Sequence, residues 1–187
     1  MKKIITVMFA LLIAMTAFSQ EQELSKKEKK KLEKELKKEQ EAKDAEIKAQ
    51  VVAVMVEYQR FVLEADRLKD SKGNQVNVSA IINFIASDSI TGVIQIGSDS
   101  YVGRNGVGGI TAEGTISNYK FTFNEKNGSY NVTYNLRSAI GNYDVRMTVF
   151  SDGRADATVS STWPGRLNYS GYVVPPGQSR VYKGTSL

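Results

Sequence analysis

The 187-residue chain contains no histidine and no cysteine. The usual general base, the commonest metal ligand and the thiolate nucleophile are therefore missing, and a zinc site built on those side chains cannot form. Carboxylates, lysines, hydroxyls and phenols remain. Three carboxylates, Asp88, Asp99 and Glu113, flank a glycine-rich stretch at 97–109 (GSDSYVGRNGVGG). Their convergence in a cleft would permit a carboxylate-dependent hydrolase. The same stretch supplies one acid, one aromatic and two donors in Asp99, Tyr101, Arg104 and Asn105. Glycine loops of this length allow close approach of a ligand, so these four are the candidate ligand-binding residues. The stretch lacks the Gly-Lys-Ser/Thr ending and following helix of a phosphate-binding loop. The sequence carries no catalytic motif, no cofactor fingerprint and no metal-ligand spacing, so no enzyme activity, cofactor or metal is expected.

The segments that hold the glycine stretch read as β-strands. Apolar and polar residues alternate, or β-formers cluster, at 60–67, 75–85, 89–96, 110–116, 119–124, 129–137, 143–150, 154–163 and 167–174. Within 75–85, Val76, Val78, Ala80, Ile82 and Phe84 fall on one face. Two turns test whether neighbouring strands stay in phase. Asn127-Gly128, read as a two-residue loop, sets Phe123 against Val132, Phe121 against Tyr134 and Tyr119 against Leu136. Ser151-Asp152-Gly153, read as a three-residue loop with a left-handed glycine, sets Val149 against Ala155, Met147 against Ala157 and Val145 against Val159. Turn chemistry and alternation agree in both. The expected fold is mainly β: an antiparallel β-sandwich or small β-barrel of about nine strands over 51–176, preceded by a charged α-helix. Pro175-Pro176-Gly177 ends the last strand, and the tail 177–187 is expected to be loose.

The aromatic set Tyr119, Phe121, Phe123, Tyr130, Tyr134, Tyr143 and Trp163 either fills this core or lines a ligand cavity, as in lipocalin-like barrels. The outward polar rows Asn131, Thr133, Asn135 and Thr158, Ser160, Thr162 either face water or bind glycans.

Ahead of the β region, residues 20–50 hold 10 Lys against 9 acids, with neither Gly nor Pro. Strong helix formers dominate, and acid-before-base pairs such as Glu33–Lys37 and Glu39–Lys43 recur four apart. The apolar stripe is too thin for a coiled coil, which leaves a solvated helical spacer. Val51, Val52, Val54, Met55 and Val56 are placed to dock the end of that helix on the β domain. Residues 1–19 have the form of a signal peptide: Lys2-Lys3, an apolar run over 4–17, then Ala17-Phe18-Ser19. Cleavage after Ser19 would leave a periplasmic or secreted protein with no transmembrane segment, and the lack of Cys excludes a thiol-linked lipid anchor. The net charge of +5 is spread along the chain without a basic cluster, so nucleic acid is not an expected partner.

An ordered set of motifs then points to a family. The set begins with Phe61-Val62-Leu63-Glu64-Ala65-Asp66 and Asp88-Ser89-Ile90-Thr91-Gly92. It continues with Gly103-Arg104, Gly108-Gly109-Ile110, Tyr119 and Gly128-Ser129-Tyr130. It closes with Thr148-Val149-Phe150, Gly153-Arg154-Ala155 and Asn168-Tyr169-Ser170-Gly171. Over about residues 45–175 the chain resembles the bacterial envelope family known as domain of unknown function 4251. Where that family often carries Leu-Pro-Tyr near the glycine loop, this chain has Val93-Ile94-Gln95-Ile96 and Tyr101. The resemblance implies a β fold and an envelope location but no activity. The expectation is an exported, non-enzymatic binding or interaction module whose partner is an unknown envelope protein or small ligand. A lipocalin-like carrier of a small apolar ligand and a carboxylate-dependent hydrolase are the alternatives. A carrier would need an internal cavity of at least ~300 Å³ lined by those aromatics.

Overall fold

The structure is a computed structural model that describes residues 2–161 and 165–186, with side chains from Lys26 onward. It divides into two units, Met1–Asp44 and Ala45–Leu187. Helix α1 (Lys2–Glu57) opens the chain. In the first unit Leu32 and Leu36 are exposed, and the helix rests on its composition. Lys43 bonds Glu39 at 2.8 Å, whereas Lys37 turns forward to Glu41 at 3.9 Å. Exposed pairs of this kind add only a few tenths of a kcal/mol each, about 0.3–0.5.

In the second unit the last turns of α1 have two faces. Val52, Met55 and Val56 are buried in the β core, while Ile47, Val51, Val54 and Tyr58 face outward. Nine strands follow: β1 (Arg60–Asp70), β2 (Gln75–Asn77), β3 (Phe84–Asp88), β4 (Thr91–Ile96), β5 (Ile110–Asn124), β6 (Ser129–Ser138), β7 (Gly141–Phe150), β8 (Arg154–Ser161) and β9 (Arg166–Val174). From β3 to β9 each strand pairs antiparallel with the next. β1 pairs with β3 through Arg60–Glu64 on one side and with β9 through Val62–Asp70 on the other. That second pairing closes an eight-stranded up-and-down barrel. β2 is an extra short strand against Arg67–Lys69 of β1.

The strand count matches the expectation, but the divisions differ. Segment 75–85 is not one strand. Val78 to Asn83 form a turn in which the Asn83 backbone and side-chain N–H groups both donate to the Ser79 carbonyl. Such local bonds compete with the ladder. The expected face is lost: Val76 is exposed, Ile85 enters the core, and Phe84 is buried on the outer face opposite Gln95. Conversely, 110–116 and 119–124 form one strand, β5. A bulge between Ser117 and Lys120, with Asn118 at φ 55°, inserts one residue and flips the phase, so Ile116 and Tyr119 both point inward.

The β7–β8 hairpin has the expected register, with Val149 opposite Ala155, Met147 opposite Ala157, Val145 opposite Val159, and Gly153 at φ 84°. Between the bulge and the turn the β5–β6 register is displaced by two residues, so that Phe123 faces Tyr130 and Phe121 faces Val132; beyond the bulge Leu136 faces Ile116 and not Tyr119. Asn124 pairs with Ser129, so residues 125–128 form the loop and Asn127-Gly128 is only its second half. An even displacement preserves the faces, which is why the alternation still held.

The barrel interior is filled by Phe61, Leu63, Ile85, Leu136, Met147, Val149 and their neighbours. The expected aromatic core is only partly present. Tyr134 is buried, but Phe121 and Phe123 are 42% and 52% exposed on the projecting β5–β6 hairpin. Trp163 and Thr162 lie outside the described residues. Glycine sets the closest strand approach at the seam: a Cβ on Gly171 of β9 would sit 2.0 Å from the Glu64 carbonyl oxygen of β1. Gly171→Ala is therefore expected to lower stability by about 1–3 kcal/mol, the usual range for overpacking. A urea midpoint equal to that of the unmodified protein would show that the seam has slack there.

Candidate functional site

The glycine loop between β4 and β5 is built around Asn105. This side chain is fully buried: its Oδ1 accepts from Val107 N (3.2 Å) and Gly109 N (3.0 Å), and its Nδ2 donates to Thr111 Oγ1 (3.1 Å). Gly103 and Gly108, at φ 61° and 74°, bring the two limbs into contact, and a Cβ on Gly108 would meet the Tyr101 carbonyl oxygen at 2.1 Å. Asn105 therefore organises the loop from inside. Asp99, Tyr101 and Arg104 are exposed, and among the described residues no hydrogen bond or ion pair joins any of them to another.

Beneath the loop, on the outer face of the barrel, lies a buried polar network. Gln95 is fully buried. Its Nε2 donates to the carbonyls of Ile82 (3.0 Å) and Tyr182 (2.9 Å), and its Oε1 accepts from Thr111 Oγ1 (2.9 Å) and Gly184 N (2.8 Å). Asn83 Oδ1 accepts from Gly97 N. The tail is consequently not loose. Thr185 N donates to the Asn105 carbonyl, Tyr182 N to the Ile81 carbonyl, and Ser179 Oγ to Glu64.

The three carboxylates are committed to different partners. Asp88 pairs with Arg60 at 2.8 Å, Glu113 accepts from Lys183 and Ser186, and Asp99 faces solvent. The hydrogen bonds from Lys183 and Ser186 hold the Glu113 carboxyl below its usual range. A catalytic acid would need the opposite shift. The outer polar rows bond across strands: Asn135 donates to Asp144, Thr148 to Asn131, and Thr158 to Asn168.

The barrel itself provides a pocket. Helix α1 meets the core at the end where β1 and β4 begin, and Tyr119 Oη donates to the Val56 carbonyl there at 2.8 Å. At the opposite end, where β4 and β8 stop and β5 and β9 start, Ile94, Ile96, Ile110, Leu167, Tyr143 and Tyr169 line a cavity of about 230 Å³. Arg166, on its exposed rim, carries the charge of this lining. The volume falls short of the ~300 Å³ expected of a carrier, and among the described residues Tyr143 is the one member of the expected aromatic set in the wall. Tyr169, quoted above only within the Asn168-Tyr169-Ser170-Gly171 motif, lies outside the expected aromatic set and is completely buried. Its hydroxyl, and that of Tyr134, is buried with no hydrogen-bond partner among the described residues. Burial pushes both phenols well above their usual range, so both stay protonated.

A family comparison accords with this architecture. The model of the family described as "Domain of unknown function (DUF4251)" matches residues 41–173. The chain belongs to this family. A crystal structure of a DUF4251 family protein from Bacteroides eggerthii DSM 20697, at 1.95 Å resolution, is similar with a TM-score of 0.60 and 25% identity. The likeness covers 71% of this chain and 91% of that one. No curated protein matches the chain. The DUF4251 barrel thus comes with a shared fold and no activity attached.

Two outcomes follow for the outer-face network. Gln95→Leu leaves the carbonyls of Ile82 and Tyr182, Thr111 Oγ1 and Gly184 N without their shared partner. It should cost about 1–3 kcal/mol, with faster amide exchange at Gly184; unchanged exchange would show that the tail is held elsewhere. Because the Glu113 carboxyl is lowered on folding, its contribution is present above about pH 4.3, the ordinary glutamate value, and fades as pH falls through the folded value. Glu113→Gln should therefore flatten the acid limb of the stability–pH curve, and an identical limb would refute the coupling.

Proposed function

We propose that this DUF4251 protein is an exported, non-enzymatic binding module of the bacterial envelope, and that the open mouth of its barrel holds a small, largely apolar ligand. One observation carries the reading: an apolar pocket of about 230 Å³ at the end of the barrel away from α1, lined by Ile94, Ile96, Ile110 and Leu167. The filled interior disfavours a deep lipocalin-like carrier. It suits a shallow site that takes one ring or the end of a chain. The dispersed carboxylates argue against the hydrolase reading, and the absence of histidine and cysteine narrows catalysis further. The signal-like residues 1–19 support export, with a mature chain starting at Gln20.

Native mass spectrometry of the protein recovered from its producing cells tests both parts. The expected spectrum shows a chain beginning at Gln20 and carrying a small adduct. Ile96→Trp, which fills the mouth, should abolish the adduct without lowering the melting temperature. An adduct that survives the plug would place binding elsewhere, and a chain still carrying residues 1–19 would overturn export by cleavage.

A further inference from the structure

The cavity at the barrel mouth also restricts the charge of its occupant, and this inference rests on reading that mouth as a binding site. We infer that the ligand is a small amphipathic monoanion, a carboxylic acid whose apolar tail or ring enters the cavity while its carboxylate stays at the rim on Arg166.

The lining separates two chemistries. Ile94, Ile96, Ile110, Ala112, Val159 and Leu167 present hydrocarbon side chains to the cavity. Among the described residues Arg166 is the one charged member of the lining, and it is exposed. The register explains its place. Leu167 pairs with Val159 in the apolar wall, and Arg166, the first residue of β9, pairs with Ser160 one step nearer the opening. An arginine so placed can keep its methylene stem on apolar surface and its guanidinium in water.

Arg166 has no carboxylate of its own. Among the described residues no ion pair or side-chain hydrogen bond engages its guanidinium, and no acid belongs to the lining. Tyr143 and Ser161 add hydroxyls without charge; desolvation raises the Tyr143 phenol, which keeps it protonated. One uncompensated positive charge therefore stands beside an apolar cavity. The planar fork of a guanidinium matches a carboxylate through two parallel hydrogen bonds. A cation would meet repulsion at this rim. A dianion would bring a second charge that no described lining residue balances, next to a wall that cannot solvate it. Size limits the tail: about 230 Å³ is below the ~300–1,000 Å³ of drug-sized pockets and admits one ring or a short chain.

Hexanoate, hexanol, hexylamine and acetate test the inference at neutral pH. The first three share a tail and differ in charge, and acetate has the head without the tail. Each is titrated into the protein at low salt while the amide signals of Ile96, Ile110 and Leu167 are followed by NMR. Hexanoate should bind about fivefold more tightly than hexanol, the weight of one exposed ion pair, and hexylamine more weakly than either. Salt at about 1 M should erase the preference for hexanoate. Acetate should leave the signals unmoved where hexanoate saturates them. Arg166→Gln should bring the hexanoate and hexanol affinities together. Arg146→Gln, which removes the same charge from an exposed position on β7 outside this lining, should preserve their ratio. Hexanol binding as tightly as hexanoate to the unmodified protein, or a ratio that survives Arg166→Gln, would overturn the inference. Acetate binding as tightly as hexanoate would also overturn it, by showing that the tail is not held. If none of the three tailed probes shifts the mouth signals, the mouth is not a binding site and the reading beneath the inference fails.

Discussion

The pairing of β1 with β9 is the constraint on which the molecule depends. Without it the second unit would be a curled sheet with two open edges, and exposed edges recruit other strands. Closure requires strands that bend and approach closely. The bend comes from irregularities in β1 between Ala65 and Arg67 and in β5 between Ser117 and Lys120. The approach comes from Gly171, which lets the β1 backbone lie against β9. Closure also creates two unlike ends. One receives Val52, Met55 and Val56 of α1, and the other is left with an apolar cavity. The cavity is thus a by-product of how the barrel shuts.

The outside of the barrel is organised by polar chemistry where a hydrophobic layer would be the usual solution. Gln95 bonds two separate segments, the turn before β3 and the tail, and through Thr111 it reaches Asn105 in the glycine loop. Four bonds on one amide make the arrangement specific, because each member loses its partner if the others move. The glycine loop is therefore a fastened part of the wall, from which Asp99, Tyr101, Val102 and Arg104 project into solvent.

Much of this architecture could be read from residues alone, for identifiable reasons. The β7–β8 hairpin was legible because Gly153 has one favourable role in a three-residue loop, and the side chains on both arms confirm it. The β5–β6 register is not legible to better than two residues, because Asn127-Gly128 signals a turn without stating how many residues the turn contains. The break at Ser79–Asn83 hides inside an alternating pattern, since side-chain bonds to nearby backbone leave no periodic trace. The anchored tail was invisible for a similar reason: backbone groups of Tyr182 and Gly184 contact Gln95, and backbone groups carry no sequence signature. Asn105 was legible as important but not as buried. The burial of Tyr169 depends on which face of β9 meets the barrel interior, and an unmatched hydroxyl is a property of three-dimensional surroundings only.

The seam also governs the order of events during synthesis. Ser179 must find Glu64 across 115 positions, and β9 must return to the first strand made. A growing chain can form the meander from β3 to β8, but it cannot seal the cylinder until residues 166–186 have left the ribosome. Non-local closure of this kind is slow to assemble. Until then the nascent sheet presents β1 unpaired along one side. Any cover for that strand before β9 arrives would suppress its pairing with strands of other chains.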